Sequence, residues 1–211
     1  MMRSCLLALM LCLAGASAQA RDRPGEFDYW LLALSWSPQY CVNNAGDPQC
    51  IYPLNFVVHG LWPQFERGYP DYCARTQSVP TSLVTRLLPL MPSEKLIQHQ
   101  WRKHGSCSGL EAQEYFLQVE RARRAVVVPP LYADPEEYRR TSVREIEAAF
   151  VDVNPQLAPE MLAVQCSGRW LREVRICFDR EFQTRACGVD VADRCGTEVM
   201  MRPNRRPRSA P

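Results

Sequence analysis

Apolar positions fall in two kinds of pattern along this chain. Trp30-Leu-Leu-Ala-Leu-Ser-Trp36 and Asn55-Phe-Val-Val-His59 are short, dense runs rich in β-branched and aromatic side chains, the first closed by Ser37-Pro38. Both read as buried strands. Residues 43–48 between them form a turn-rich loop that a Cys41–Cys50 bridge would close. The middle of the chain shows helical spacing instead. Thr81–Leu88 suits a short helix. Ser93 can cap a second from Glu94 to His104, with Gly105 as its stop. Further helices are expected at Glu111–Arg124 and at Ser142–Phe150, the latter ended by Asn154-Pro155. Met161–Cys166 and Leu171–Phe178 read as a strand pair turning at Ser167-Gly168. No repeat or long linker interrupts the chain. Strands and helices mix without regular alternation, which predicts an α+β fold, not a doubly wound one.

The first twenty residues stand apart. Arg3 precedes an apolar run from Cys5 to Ala14, and Ala16-Ser-Ala-Gln-Ala20 offers small-residue cleavage sites. This is the expected form of a secretory signal peptide over residues 1–20. The run is too short to span a bilayer, and no later segment is longer, so no membrane association is expected after its removal. A single domain is expected over residues 21–200. Eight cysteines follow the signal, namely Cys41, Cys50, Cys73, Cys107, Cys166, Cys177, Cys187 and Cys195. An even count in an exported chain predicts four disulfides in an oxidising compartment, the bacterial periplasm being the expected one. No Cys-x-x-Cys pair points to zinc instead. Charge is uneven. Residues 201–211 hold Arg202, Arg205, Arg206 and Arg208 without an acid and read as a basic, disordered tail. The body carries 20 basic and 23 acidic residues, which excludes a broad basic face for coating nucleic acid. A local site is required.

That site is marked by histidine. All three histidines lie in two segments, His59 in Phe56-Val-Val-His-Gly-Leu-Trp-Pro63, and His99 and His104 in His99-Gln-Trp-Arg-Lys-His-Gly-Ser-Cys107. Imidazole is the one side chain whose ordinary pKa suits proton transfer in both directions near neutral pH. At about 100° per residue, His99, Lys103, Gln100 and His104 share an arc of about 140° on their helix, with Trp101 facing away. An ordinary solvated helix face has the same composition. The second histidine segment shifts the balance, and a bridge from Cys107 to Cys73 would draw the two segments together. The spacing of His99 and His104, five residues apart, is awkward for chelation, and no Glu lies between them as in a zincin helix. Ser106 and Ser108 lack the Gly-x-Ser-x-Gly context of a nucleophile elbow. Paired histidines plus a lysine suit phosphoryl chemistry without metal, cofactor or covalent intermediate.

His59-Gly-Leu-Trp-Pro63 and His99-Gln-Trp-Arg-Lys-His-Gly-Ser-Cys107 resemble the two active-site segments of the ribonuclease T2 family. Phe27-Asp-Tyr-Trp-Leu-Leu-Ala-Leu-Ser-Trp36 and Leu171-Arg-Glu-Val-Arg-Ile-Cys177 resemble its first and late strands. The resemblance implies a mainly antiparallel sheet packed with helices. It implies an endoribonuclease acting on single-stranded RNA through a 2′,3′-cyclic phosphate, sparing DNA. His104 would be the general base, His59 the general acid, His99 a phosphate ligand, and Lys103 a stabiliser of the phosphorane. Trp62 and Tyr69 would stack a base. Gln64 stands where some relatives carry an acid that reads the base edge. Gln100 departs from the family's usual Glu, which favours a weakened, RNA-binding relative as the alternative. A zinc-dependent phosphodiesterase using the same histidines is a further alternative. The implied disulfides are Cys41–Cys50, Cys73–Cys107, Cys166–Cys195 and Cys177–Cys187. A monomer is expected.

Overall fold

A computed structural model describes residues 23–204; the expected signal peptide and residues 205–211 lie outside the described residues. The chain runs β1 (Tyr29–Trp36), α1 (Ser37–Tyr40), β2 (Phe56–Gln64), α2 (Thr81–Leu87), α3 (Glu94–Lys103), α4 (Ala112–Arg124), α5 (Pro130–Ala133), β3 (Arg139–Thr141), α6 (Val143–Val153), β4 (Leu162–Ser167), β5 (Trp170–Phe178) and β6 (Val199–Met201). One sheet takes the order β2-β1-β5-β6-β3, with β4 also paired to β5. Its pairings are antiparallel except β5 with β6, which run parallel at Trp170 and Met200. The architecture is the predicted α+β.

The alternation of strand side chains gives the sheet two unlike faces. Trp30, Leu32, Leu34 and Trp36 of β1 join Phe56, Val58 and Leu61 of β2 on one face, in the same cluster as Val174, Ile176 and Phe178 of β5. Against them pack Leu87 of α2, Ile97 and Trp101 of α3, Phe116 and Val119 of α4, and Phe150 of α6. Burying each such side chain contributes about 1.5–3 kcal/mol, so this face holds the fold together. The opposite face has only a small apolar group, Tyr29, Leu31, Ala33 and Cys177. Trp62, Cys187 and Val191 pack against that group.

Helix entries follow their caps. The Ser93 hydroxyl accepts from the Leu96 amide, and Ser142 accepts from Glu145 while donating to its carboxylate at 2.9 Å. Helix α6 runs to Val153, three residues beyond expectation, and ends at Asn154 before Pro155. The Asn154 side chain exchanges two hydrogen bonds with the Val127 backbone. Strand β2 runs on to Gln64 through Pro63, which is tolerated because β2 is an edge strand whose outer side needs no donor.

The expected tail begins too early at residue 201. Met201 closes β6 and is fully buried. The Arg202 guanidinium lies 3.9 Å from the Trp170 ring and its Nε donates to Gln39, while the Trp36 indole donates to its carbonyl. Composition alone marked these residues as loose; strand pairing of Met201 and the contacts of Arg202 with Trp36 and Trp170 hold them. Disulfides join Cys41–Cys50, Cys73–Cys107, Cys166–Cys195 and Cys177–Cys187.

Candidate active site

Strands β1 and β2 pair regularly from Trp36–Phe56 to Leu34–Val58, then resume at Ala33–Gly60. His59 is the extra residue between, the bulged position of the ladder. A bulge bends its strand and re-aims the residue it carries. Across β1, Ser35 stands opposite both Val57 and Glu173, Ala33 opposite both Gly60 and Arg175, and Leu31 opposite both Trp62 and Cys177. Trp62, Glu173 and Arg175 therefore share the face opposite the main core.

His59 Nδ1 lies 2.7 Å from Glu173 Oε2, and Arg175 Nε donates to Glu173 Oε1 at 2.7 Å. The Ser35 hydroxyl adds a longer bond at 3.4 Å. Glu173 is only 2% exposed. Burial pushes its carboxyl up, but the His59 hydrogen bond and charge, with Arg175, outweigh this and hold it well below the usual carboxylate range. The Arg175 guanidinium lies 5.2 Å from the Trp62 ring centroid.

Helix α3 brings the second segment to the β2 edge. Ile97 and Trp101 enter the core, and the Trp101 indole donates to the Gln77 carbonyl. Gln100 is buried, and its Oε1 accepts from the Trp62 indole at 2.7 Å. A side chain at Gly60 would collide with this same pair, and one at Gly105 with the Trp101 ring. Gly60 thus serves close approach between strand and helix, and Gly105 the packing of the α3 terminus against Trp101 and against Tyr115 of α4. Gly105 does end α3, but without the left-handed conformation expected of a stop glycine; a 3-10 turn, Gly105–Cys107, follows directly.

His104 caps α3 at its C-terminal end, with its ring stacked on Trp62 at 5.0 Å and an interplanar angle of 24°. His59 meets the same indole edge-on at 5.2 Å. Both imidazoles thus pack against the one indole. Burial, followed by the positive charge of Lys103 and the other two histidines, pushes the His104 pKa down to about 2. Among the described residues nothing hydrogen-bonds its buried Nδ1. His99 is also lowered, by burial and then by Lys103, Arg102 and His59. Lys103 Nζ sits 5.5 Å from the ring centroid of Tyr69, which is 51% exposed. Gln64 is buried, with its amide donating to the Pro63 carbonyl.

Every site residue expected from the sequence, disulfides aside, lines one cavity of about 360 Å³: the three histidines, Lys103, Gln100, Trp62, Tyr69 and Gln64. A second cavity of about 310 Å³ shares His59 and Arg175 with it and continues past them to Tyr40, Asn44 and Arg172. Among the described residues, no group of three or more His, Cys, Asp or Glu side chains is placed to hold a metal ion.

Sequence reasoning missed Glu173 and Arg175. The usable signal was alternation within a strand: Glu173, Arg175 and Cys177 share one face, opposite Val174, Ile176 and Phe178 of the core, and a carboxylate on that face beside a buried cysteine needs a partner.

Among characterised proteins, a ribonuclease from Aeromonas hydrophila is 46% identical over 112 residues, covering 52% of each chain. A probable ribonuclease of Haemophilus influenzae is 33% identical over 178 residues, 76% of this chain and 61% of that one. The chain thus spans about half to three-fifths of these two relatives' length. Ribonuclease MC1 from bitter gourd seeds has the same fold, with a TM-score of 0.66 at 22% identity over 82% of this chain and 99% of its own. The sequence model of the ribonuclease T2 family matches residues 27–187, a span that holds both histidine segments and the strand carrying Glu173, and this chain belongs to that family.

Proposed function

We propose that this protein is an exported endoribonuclease that cleaves single-stranded RNA by acid–base transesterification without a metal. The observation that carries this reading is that His59 and His104, both packed against Trp62, line one cavity together with Lys103 and His99. His104, held neutral, takes the proton of a ribose 2′-hydroxyl. The 2′-oxygen bonds to phosphorus as the bond to the 5′-oxygen breaks, and His59 protonates that leaving oxygen. Lys103 and His99 hold the charge that builds on the phosphorane. The nucleophile is already tethered beside phosphorus, so the substrate itself supplies much of the positioning.

Hydrolysis of the 2′,3′-cyclic phosphate follows with the roles reversed, leaving a 3′-phosphate. DNA, which lacks the 2′-hydroxyl, is not a substrate. In this reading Trp62 and Tyr69 stack against a base and Gln64 meets a base edge; the support is that all three line the histidine cavity. The second cavity beyond His59 offers room for chain continuing past the cut, in keeping with internal cleavage. Four disulfides fit an oxidising compartment, and we assign the periplasm.

Cleavage of homopolymer RNA with and without a chelator tests this. Equal cleavage in both, through detectable cyclic phosphate ends and with no cut in the 2′-deoxy polymer, is the expected result. Loss only with chelator would make it a metalloenzyme; no cleavage in either would make it an RNA-binding relative.

A further inference from the structure

Glu173 needs a reason to exist. A carboxylate at 2% exposure gives little net stability even when paired, because its desolvation offsets the attraction of His59 and Arg175, and an apolar residue of similar volume often serves as well. Its Oε2 is spent on His59, whose side chain is 37% exposed and faces both cavities. Its Oε1 is spent on Arg175. No bond in this set joins two parts of the main core.

We propose that Glu173 is the positioning residue of the general acid, fixing the His59 ring through Nδ1 so that Nε2 alone exchanges protons with the substrate, while Arg175 clamps the carboxylate in place. This rests on the reading of His59 as the acid. The carboxylate stays ionised, so the proton it shares stays on Nδ1. In the first step the Nε2–H bond breaks as the leaving 5′-oxygen gains that proton and its bond to phosphorus breaks. The neutral ring that remains has its lone pair on Nε2, ready to take a proton from the water that opens the cyclic phosphate. Without Glu173 the ring can rotate or hold its proton on Nε2, and that tautomer cannot act in the second step.

Leaving-group chemistry tests the proposal. Uridylyl-3′,5′-adenosine releases a poor leaving group that needs an acid; uridine 3′-(4-nitrophenyl phosphate) releases one that does not. Glu173→Gln and Glu173→Ala should lower kcat on the first roughly 10- to 100-fold, the scale for losing the partner that orients a functional imidazole. KM should hold, and loss on the second should be slight. His59→Ala should show the same selectivity, more deeply. Equal losses on both substrates in the Glu173 variants, beside selective loss in His59→Ala, would overturn the positioning role alone. Equal losses in His59→Ala would overturn the acid assignment beneath it. Should the variants fail to fold, nitrogen shifts of the His59 ring in the wild-type protein decide: a proton kept on Nδ1 supports the proposal, and an Nε2–H neutral form overturns it.

Discussion

His104 is buried at 5% exposure, stacked on an indole and surrounded by positive neighbours, so its protonated form is disfavoured. A neutral ring is the form a base requires. It also makes stability depend on pH. Below the ordinary value of 6.5 the unfolded chain protonates this residue and the folded one does not, so stability falls as pH drops, until the folded group titrates near 2. The slope is at most about 1.4 kcal/mol per pH unit. His104→Gln should remove it: urea midpoints at pH 7 and pH 4.5 should converge more in the variant than in wild type, and equal shifts would refute the assignment. On the proposed reading, a bound phosphodiester would add negative charge beside this cluster and raise the basicity of His104. His59→Ala and His104→Ala should each cut RNA cleavage by about 10²–10⁴-fold. Circular dichroism checks that the fold survives, and a wild-type rate in either would remove that residue from the mechanism.

Elements differ in how openly the chain announces them. Helix α3 carries its own cap, its buried Ile97 and Trp101, and its polar groups within one window, so local pattern reading finds it. Strand β5 also shows as an apolar run, but its chemistry depends on pairing with β1, more than a hundred residues away, and local reading cannot supply that register. Strands β3 and β6 are three residues each, too short for a period to show. Gln100 belongs to α3, and its role follows from that placement. Its carbonyl is taken by the Trp62 indole, and its side chain lines the cavity one turn before His104. A carboxylate there keeps the indole bond and brings negative charge toward His104, favouring the imidazolium that forms as the base acts. Gln100→Glu should raise turnover and move the acid limb of kcat/KM to higher pH. An unchanged limb with no faster turnover would mean that position 100 does not limit the reaction.

On the scale of the whole molecule, the Cys73–Cys107 bridge joins the segment beyond β2 to the end of α3, next to the Tyr72 amide's bond to the Lys103 carbonyl. It ties one histidine segment to the other. Cys73→Ser should lower stability by about 2–4 kcal/mol and lower activity as well; intact activity with reduced stability would show that packing alone aligns the segments. The cysteine count announced four bridges, but their partners depend on the fold. Composition was the weakest guide: it assigned Met201–Asn204 to a tail that aromatic and strand contacts hold to the body. The bulge at His59 carries a consequence for descent. The ladder pairs Val58 with Leu34 and Gly60 with Ala33, and these partners are consecutive on β1 but not on β2. Removing the one codon for His59 would leave a regular hairpin with every other side chain on its present face. On the proposed reading of His59, architecture and reactivity are thus separable by a single residue, and its deletion should leave a folded protein that does not cleave RNA.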